Sequence, residues 1–107
     1  MLFEDITMLY IGYAEDIPGT DEKRAAARDA HMAYLHGTTE IVVLGGPLLD
    51  ANDKRTGTCL IISAPDIDTA EAWFANEPFN KAGIFKSMKV SRVLRGTWHP
   101  ELAADSK

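Results

Sequence analysis

Residues 6–14, ITMLYIGYA, are apolar on both sides of an extended chain. With a side-chain period of two, Ile6, Met8 and Tyr10 share one face, and Leu9, Ile11 and Tyr13 share the other. A strand of this kind belongs inside a sheet and needs cover above and below. Any fold for the chain has to supply both covers.

The next patterned stretch supplies one of them. Residues 21–36, DEKRAAARDAHMAYLH, carry helical periodicity after a Pro18-Gly19 turn. Thr20 is placed to cap the helix, with Asp21 and Glu22 where its dipole favours negative charge, and Gly37 fits the C-cap. Ala26, Ala27, Ala30 and Ala33 form a small-residue face expected to sit close to the sheet. Arg24, Arg28, His31 and Leu35 line the other side.

Three more strand patterns and one more helix follow. Ile41 to Leu44 reads as a short buried strand ending at Gly45-Gly46-Pro47, and residues 50–57, DANDKRTG, read as a hairpin loop. Thr58 to Ala64 is the third strand. Asp68 and Glu71 make a capping-box-like start for a helix over residues 69–76, with Trp73 and Phe74 as its apolar bulk. Pro78 ends that helix, holds Glu77 extended and opens a short turn to Ala82, closed by Gly83. Met88 to Leu94 alternates as the last strand. Trp98 is placed to anchor the tail, residues 98–107.

The order βαββαβ predicts an α+β, ferredoxin-like plan: a four-stranded antiparallel sheet with both helices on one face, in a single domain over residues 1–97. The helices leave the second apolar face of the first strand bare. A second copy laid on that face is the simplest cover, so a homodimer joined through its sheets is expected.

Charge and composition exclude several functions. Lys and Arg number 11 against 16 Asp and Glu, a net charge of −5. That balance argues against nucleic acid, which calls for a basic stripe. No apolar run approaches the roughly 18–20 residues of a spanning helix, so no membrane partner is expected. MLFEDIT has Glu4 and Asp5 and no basic n-region, so no secretory leader is expected there. Cys59 is the only cysteine, which suits a reducing, cytoplasmic setting.

His31 is the main chemical candidate, because an imidazole exchanges protons near neutrality. Arg28, one helical turn away, suits an anionic oxygen of a substrate. Glu77 lies beside the free backbone N–H groups of the turn that follows it. Several apparent motifs fail. Asp50 to Arg55 resembles an EF-hand start, but Lys54, Arg55 and Ile61 occupy positions that need an oxygen ligand, a glycine and a bidentate Glu. His31 and His36 point about 140° apart, which is poor zinc spacing. Gly45-Gly46-Pro47 lacks the residues of a phosphate loop. No metal or organic cofactor is expected.

Taken together, Glu22-Lys23-Arg24 followed by Arg28-x-x-His31, GGPLLD (Gly45 to Asp50), TGT (Thr56 to Thr58) and EPFNKAGIF (Glu77 to Phe85) resemble the YciI-like, or YCII-related, family. The likeness runs from the first strand to the fourth and leaves out the tail. It implies a ferredoxin-like fold that dimerises sheet to sheet, as in the dimeric α/β barrels. It also implies a cleft beside the first helix holding a histidine–carboxylate pair. His31 takes the histidine position. The family's Asp-Pro-aromatic motif falls on Glu77-Pro78-Phe79, a departure that lengthens the acid by one methylene.

The enzymatic relatives implied by this resemblance carry out cofactor-free proton transfers on small oxygenated rings: elimination of HCl from a chlorinated hydroxyquinol, and isomerisation of muconolactones. The expectation is therefore a lyase or isomerase with His31 as general base and Glu77 orienting it. Arg28 would bind the substrate, and Tyr10, Met8, Pro47 and Phe79 would line the pocket. The alternative is a non-enzymatic dimeric module that binds a small ligand or a partner protein.

Overall fold

The computed structural model describes residues 7–37 and 41–107. Its elements are β1 (Met8–Asp16), α1 (Asp21–Gly37), β2 (Val42–Leu49), β3 (Arg55–Ala64), α2 (Ile67–Ala75), α3 (Pro78–Lys81) and β4 (Phe85–Val93), with a 3₁₀ turn at Pro100–Leu102. The strands form one antiparallel sheet in the order β2-β3-β1-β4. This is the ferredoxin-like fold expected from the pattern order. Ile6, the expected start of the first strand, lies outside the described residues. No helix among the described residues is long and apolar enough to cross a membrane.

β1 is internal, as its two apolar faces require. Tyr10 pairs with Ile62 on β3 and Arg92 on β4, and Ala14 pairs with Thr58 and Met88. Facing residues of paired strands point the same way, so Tyr10, Gly12, Ala14, Thr58, Leu60 and Ile62 all look toward the helices. Two core clusters form there. Tyr10, Leu60, Ile62, Ala64, Ala70 and Phe74 make the larger, beneath α2. Ala14, Phe79, Ile84 and Phe85 make the smaller, against α3 and Ala27.

Gly12 is what lets α2 approach. A Cβ at that position would stand 2.3 Å from Phe74 Cε1. Gly12→Ala is therefore expected to lower stability by about 1–3 kcal/mol, the usual range for overpacking a filled core. A drop in the urea midpoint at unchanged slope would register it.

Four boundaries differ from the pattern. β2 does not stop at Gly45-Gly46-Pro47: Gly45 pairs with Leu60 and Pro47 with Thr58. β2 is an edge strand, so the N–H that proline lacks need not be part of a ladder. The hairpin loop shrinks to residues 50–54, where Asp50 Oδ1 accepts from the N–H groups of Asn52 and Lys54 at 2.8 and 3.0 Å. That side-chain turn frees Arg55 to start β3. β4 begins at Phe85 rather than Met88 and ends at Val93. α2 is capped by Asp66, not Asp68: Asp66 is extended, and its Oδ1 accepts from Thr69 N at 2.7 Å.

The Asp66 cap carries a pH signature. Hydrogen bonds from the Thr69 side chain and backbone hold its carboxyl below the ordinary value. A carboxyl lowered on folding contributes stability above its unfolded pKa and loses it as pH falls through the folded one. Asp66→Ala should melt below the parent at neutral pH, and the gap should close in acid. Thermal scans of both proteins across that range would check it.

The alanine face of α1 also behaves differently from the expectation. Ala26, Ala30 and Ala33 are exposed, and only Ala27 packs inward. The helix instead buries His31. It rests on α3 and is tied to α2 by Tyr34, whose hydroxyl donates to the Trp73 carbonyl at 2.8 Å. Resting on α3 leaves space between α1 and the β2–β3 side of the sheet. Thr20 turns its hydroxyl back to the Ile17 carbonyl at 2.7 Å. Trp98 does not anchor the tail and stands 53% exposed.

Candidate active site

The space left by α1 is a cavity of about 480 Å³. Arg28, His31, Met32, Leu35 and His36 form its helix wall. Val42, Gly45, Gly46, Pro47, Arg55, Thr58 and Leu60 form its sheet wall, and Phe79 of α3 also lines it.

Glu77 stands behind that wall and is completely buried. The proline after it holds its backbone extended (φ −65°, ψ 129°), which makes it the N-cap of α3. Its Oε2 accepts from Asn80 N at 3.3 Å. Its Oε1 is hydrogen-bonded to His31 Nδ1. The extra methylene thus does not keep this acid from the imidazole.

Phe79, two residues on, stacks on the His31 ring with centroids 3.7 Å apart and planes 3° from parallel. The tripeptide Glu77-Pro78-Phe79 therefore grips His31 at one nitrogen and across one face. With Glu77 Oε1 as the acceptor, the matching tautomer of the ring has its proton on Nδ1 and its lone pair on Nε2. Nε2 makes no hydrogen bond among the described residues, and it is not among the buried polar atoms left without a partner. An oriented imidazole with one nitrogen held by a buried acid and the other open to a cavity is equipped to take a proton.

The candidates from sequence do not all meet here. His31, Arg28, Pro47 and Phe79 line the cavity, and Glu77 supports it from behind. Tyr10 and Met8 are not brought to it. Tyr10 is 2% exposed within the larger core cluster, with its hydroxyl 3.9 Å from Met8 Sδ. Arg55, Thr58 and Asp16, not singled out as site residues in the sequence, belong to the surroundings. Arg55 Nη2 donates to Thr58 Oγ1 at 3.1 Å, and Asp16 Oδ2 holds Arg24 Nη2 at 2.5 Å. The available signal was Thr58, a polar side chain in phase with inward-facing Leu60 and Ile62.

Residues 8–94 match the YCII-related domain. The chain belongs to that family. Protein YciI of Escherichia coli O6:H1 is 33% identical over 91 residues, covering 78% of this chain and 93% of that protein, and YciI of Shigella flexneri matches to the same extent. Among solved structures, the chain is similar to 5-chloro-2-hydroxyhydroquinone dehydrochlorinase (TftG) of Burkholderia phenoliruptrix AC1100, in complex with 2,5-dihydroxybenzoquinone. That match has 35% identity and a TM-score of 0.74, over 83% of this chain and 96% of that one. In this family member, Glu77-Pro78-Phe79 holds His31, and His31 and Phe79 line the cavity.

Proposed function

We propose that this YCII-related protein is a cofactor-free lyase that uses His31 to move a proton on a small oxygenated ring, with a chlorinated hydroxyhydroquinone as its substrate class. The observation that carries the reading is the buried Glu77 on His31 Nδ1, which leaves Nε2 for the cavity. The likeness to TftG, named for dehydrochlorination, supports the choice of substrate.

The chemistry balances without an added oxidant. Tautomerisation moves one hydroxyl proton onto the chlorine-bearing carbon. A second hydroxyl proton passes to His31 Nε2, its oxygen's electron pair becomes a quinone carbonyl, and the C–Cl bond breaks to release chloride. Glu77 stabilises the imidazolium so formed. Arg28 holds an anionic oxygen of the ring, and Pro47 and Phe79 offer apolar walls to its faces. Incubation with 5-chloro-2-hydroxyhydroquinone should release chloride. Failure to release chloride, with the ring bound but recovered unchanged, would favour a binding module instead.

The protein works in this reading as a cytoplasmic homodimer. Leu9, Ile11, Tyr13 and Ile61 lie on the sheet face away from the helices, with Leu44 beside Ile61. Leu44 and Tyr13 are 58% and 48% exposed in the single chain. Contiguous apolar surface of this kind favours cover by a partner, and the same face of a second copy is self-complementary. Light scattering at micromolar concentration should return twice the chain mass; a monomer would count against it.

A further inference from the structure

Arg55 is a charged cavity side chain for which the proposed reaction has no use. Its Nε lies 3.6 Å from Asp16 Oδ2, too far for a hydrogen bond, and is buried without a partner. Arg24 takes the same Asp16 oxygen at 2.5 Å and also reaches Asp21 at 3.3 Å. One carboxylate therefore faces two guanidiniums, and Arg24 holds the closer place. Arg28, a third, makes no ion pair among the described residues. The other nearby acid, Glu77, is engaged by His31 and Asn80.

In a chain of net charge −5, this is a local excess of positive charge around a cavity. Burial pushes the Arg55 pKa down, and the charges of Arg24 and Arg28 push the same way against the pull of Asp16. A guanidinium stays charged under such pressure, and an anion in the cavity would balance it. Arg55 Cζ also stands 5.8 Å from the centre of the Phe79 ring, the ring on which His31 is stacked. Base and cation thus both lie against one phenyl group, and all three side chains line the same cavity.

We propose that the cavity selects ligands carrying an ionised oxygen, and that Arg55, assisted by Arg28, is the residue that binds that oxygen and sets the selectivity. Asp16 is a positioning residue, drawing Arg55 by charge across 3.6 Å rather than through a hydrogen bond. The inference takes the cavity to be the ligand site, as in the proposed lyase, but it does not depend on turnover.

Calorimetric titration with two rings tests it. 2,5-Dihydroxybenzoquinone is a vinylogous acid that is ionised at neutral pH, and hydroquinone is a neutral ring of nearly the same shape. The parent protein should bind the anion more tightly than hydroquinone, and less tightly as salt rises. Arg55→Gln should weaken the anion roughly 10- to 100-fold, the range for losing a charged hydrogen bond, and leave hydroquinone unchanged. Arg55→Lys should recover part of the loss, since the charge remains while the fork does not. Asp16→Asn should weaken the anion by a smaller factor. A thermal scan of each variant confirms that it is folded. Equal affinity for the anion in parent and Arg55→Gln would overturn the proposal, as would an equal loss for both rings. Anion binding that depends on Arg55 without chloride release would leave the inference standing and sink the lyase reading instead; chloride release with anion binding indifferent to Arg55 would do the reverse.

Discussion

His31→Ala is expected to slow chloride release from 5-chloro-2-hydroxyhydroquinone by about 10²- to 10⁴-fold, the range for losing a positioned acid–base group. The loss should fall on kcat more than on KM. In the proposed reaction His31 Nε2 would meet the ring most strongly when the proton is in flight, whereas Arg28, Arg55 and the apolar walls would bind it beforehand. His31→Gln sharpens the test. It keeps a polar side chain of similar length that cannot take up a proton at neutral pH. If kcat in His31→Gln matched the parent, proton transfer would have to be assigned elsewhere in the cavity. If KM rose while kcat held, His31 would be a binding residue only.

Glu77 should show the second large effect, in both stability and rate. It is fully buried and accepts hydrogen bonds from His31 and the α3 backbone at once. Glu77→Ala empties that volume, orphans the Nδ1 proton and removes the cap. Losing a buried hydrogen bond to a charged group typically costs about 1.5–3 kcal/mol, and the emptied volume adds to that, a large share of a small domain's stability. A variant this damaged says little about catalysis, so Glu77→Gln carries that question. Its amide oxygen still accepts from Nδ1 and fills nearly the same space, but it no longer balances the imidazolium. Turnover should fall roughly 10- to 100-fold, the size expected for loss of a charge-assisted bond, with a much smaller change in the unfolding midpoint. Unchanged turnover in a folded Glu77→Gln would remove the acid's charge from the mechanism and leave it to orient the ring and cap α3.

Much of the fold follows from local rules visible in the string. The two-faced apolar run of β1 required an interior strand, and the structure places it between β3 and β4. Glu77-Pro78 had to be extended and then turn, because a proline restricts the residue before it and suits a first helical position. Elements failed to follow the pattern where a neighbour outweighed the local signal. Gly45-Gly46-Pro47 punctuates an isolated segment, yet β2 runs through it because an edge strand tolerates proline and Gly45 gives Leu60 room. The alanines of α1 suggested a face for the sheet, but contact with α3 turned the helix to bury His31.

The site divides along the same line. His31, Arg28, Pro47, Phe79 and Glu77 were accessible from sequence because helical spacing, an X-Pro step and a family likeness pointed to them. Arg55 and Asp16 were not, since their meeting depends on the first residue of β3 lying beside the last residue of β1. Tyr10 and Met8 shared a strand with the expected cavity, and only the side that α2 covers decided that they belong to the core.

By itself, then, the amino-acid string determined the order of elements, the interior place of β1 and the extended step and turn at Glu77-Pro78. Those outcomes rest on period, capping and proline stereochemistry, which act within a few residues. Only the tertiary structure decided how far α1 stands off the sheet, which opened the cavity, and which cations line it. Those depend on packing between segments far apart in the chain, where the rotation of a helix or the length of an edge strand is set by the neighbour it meets.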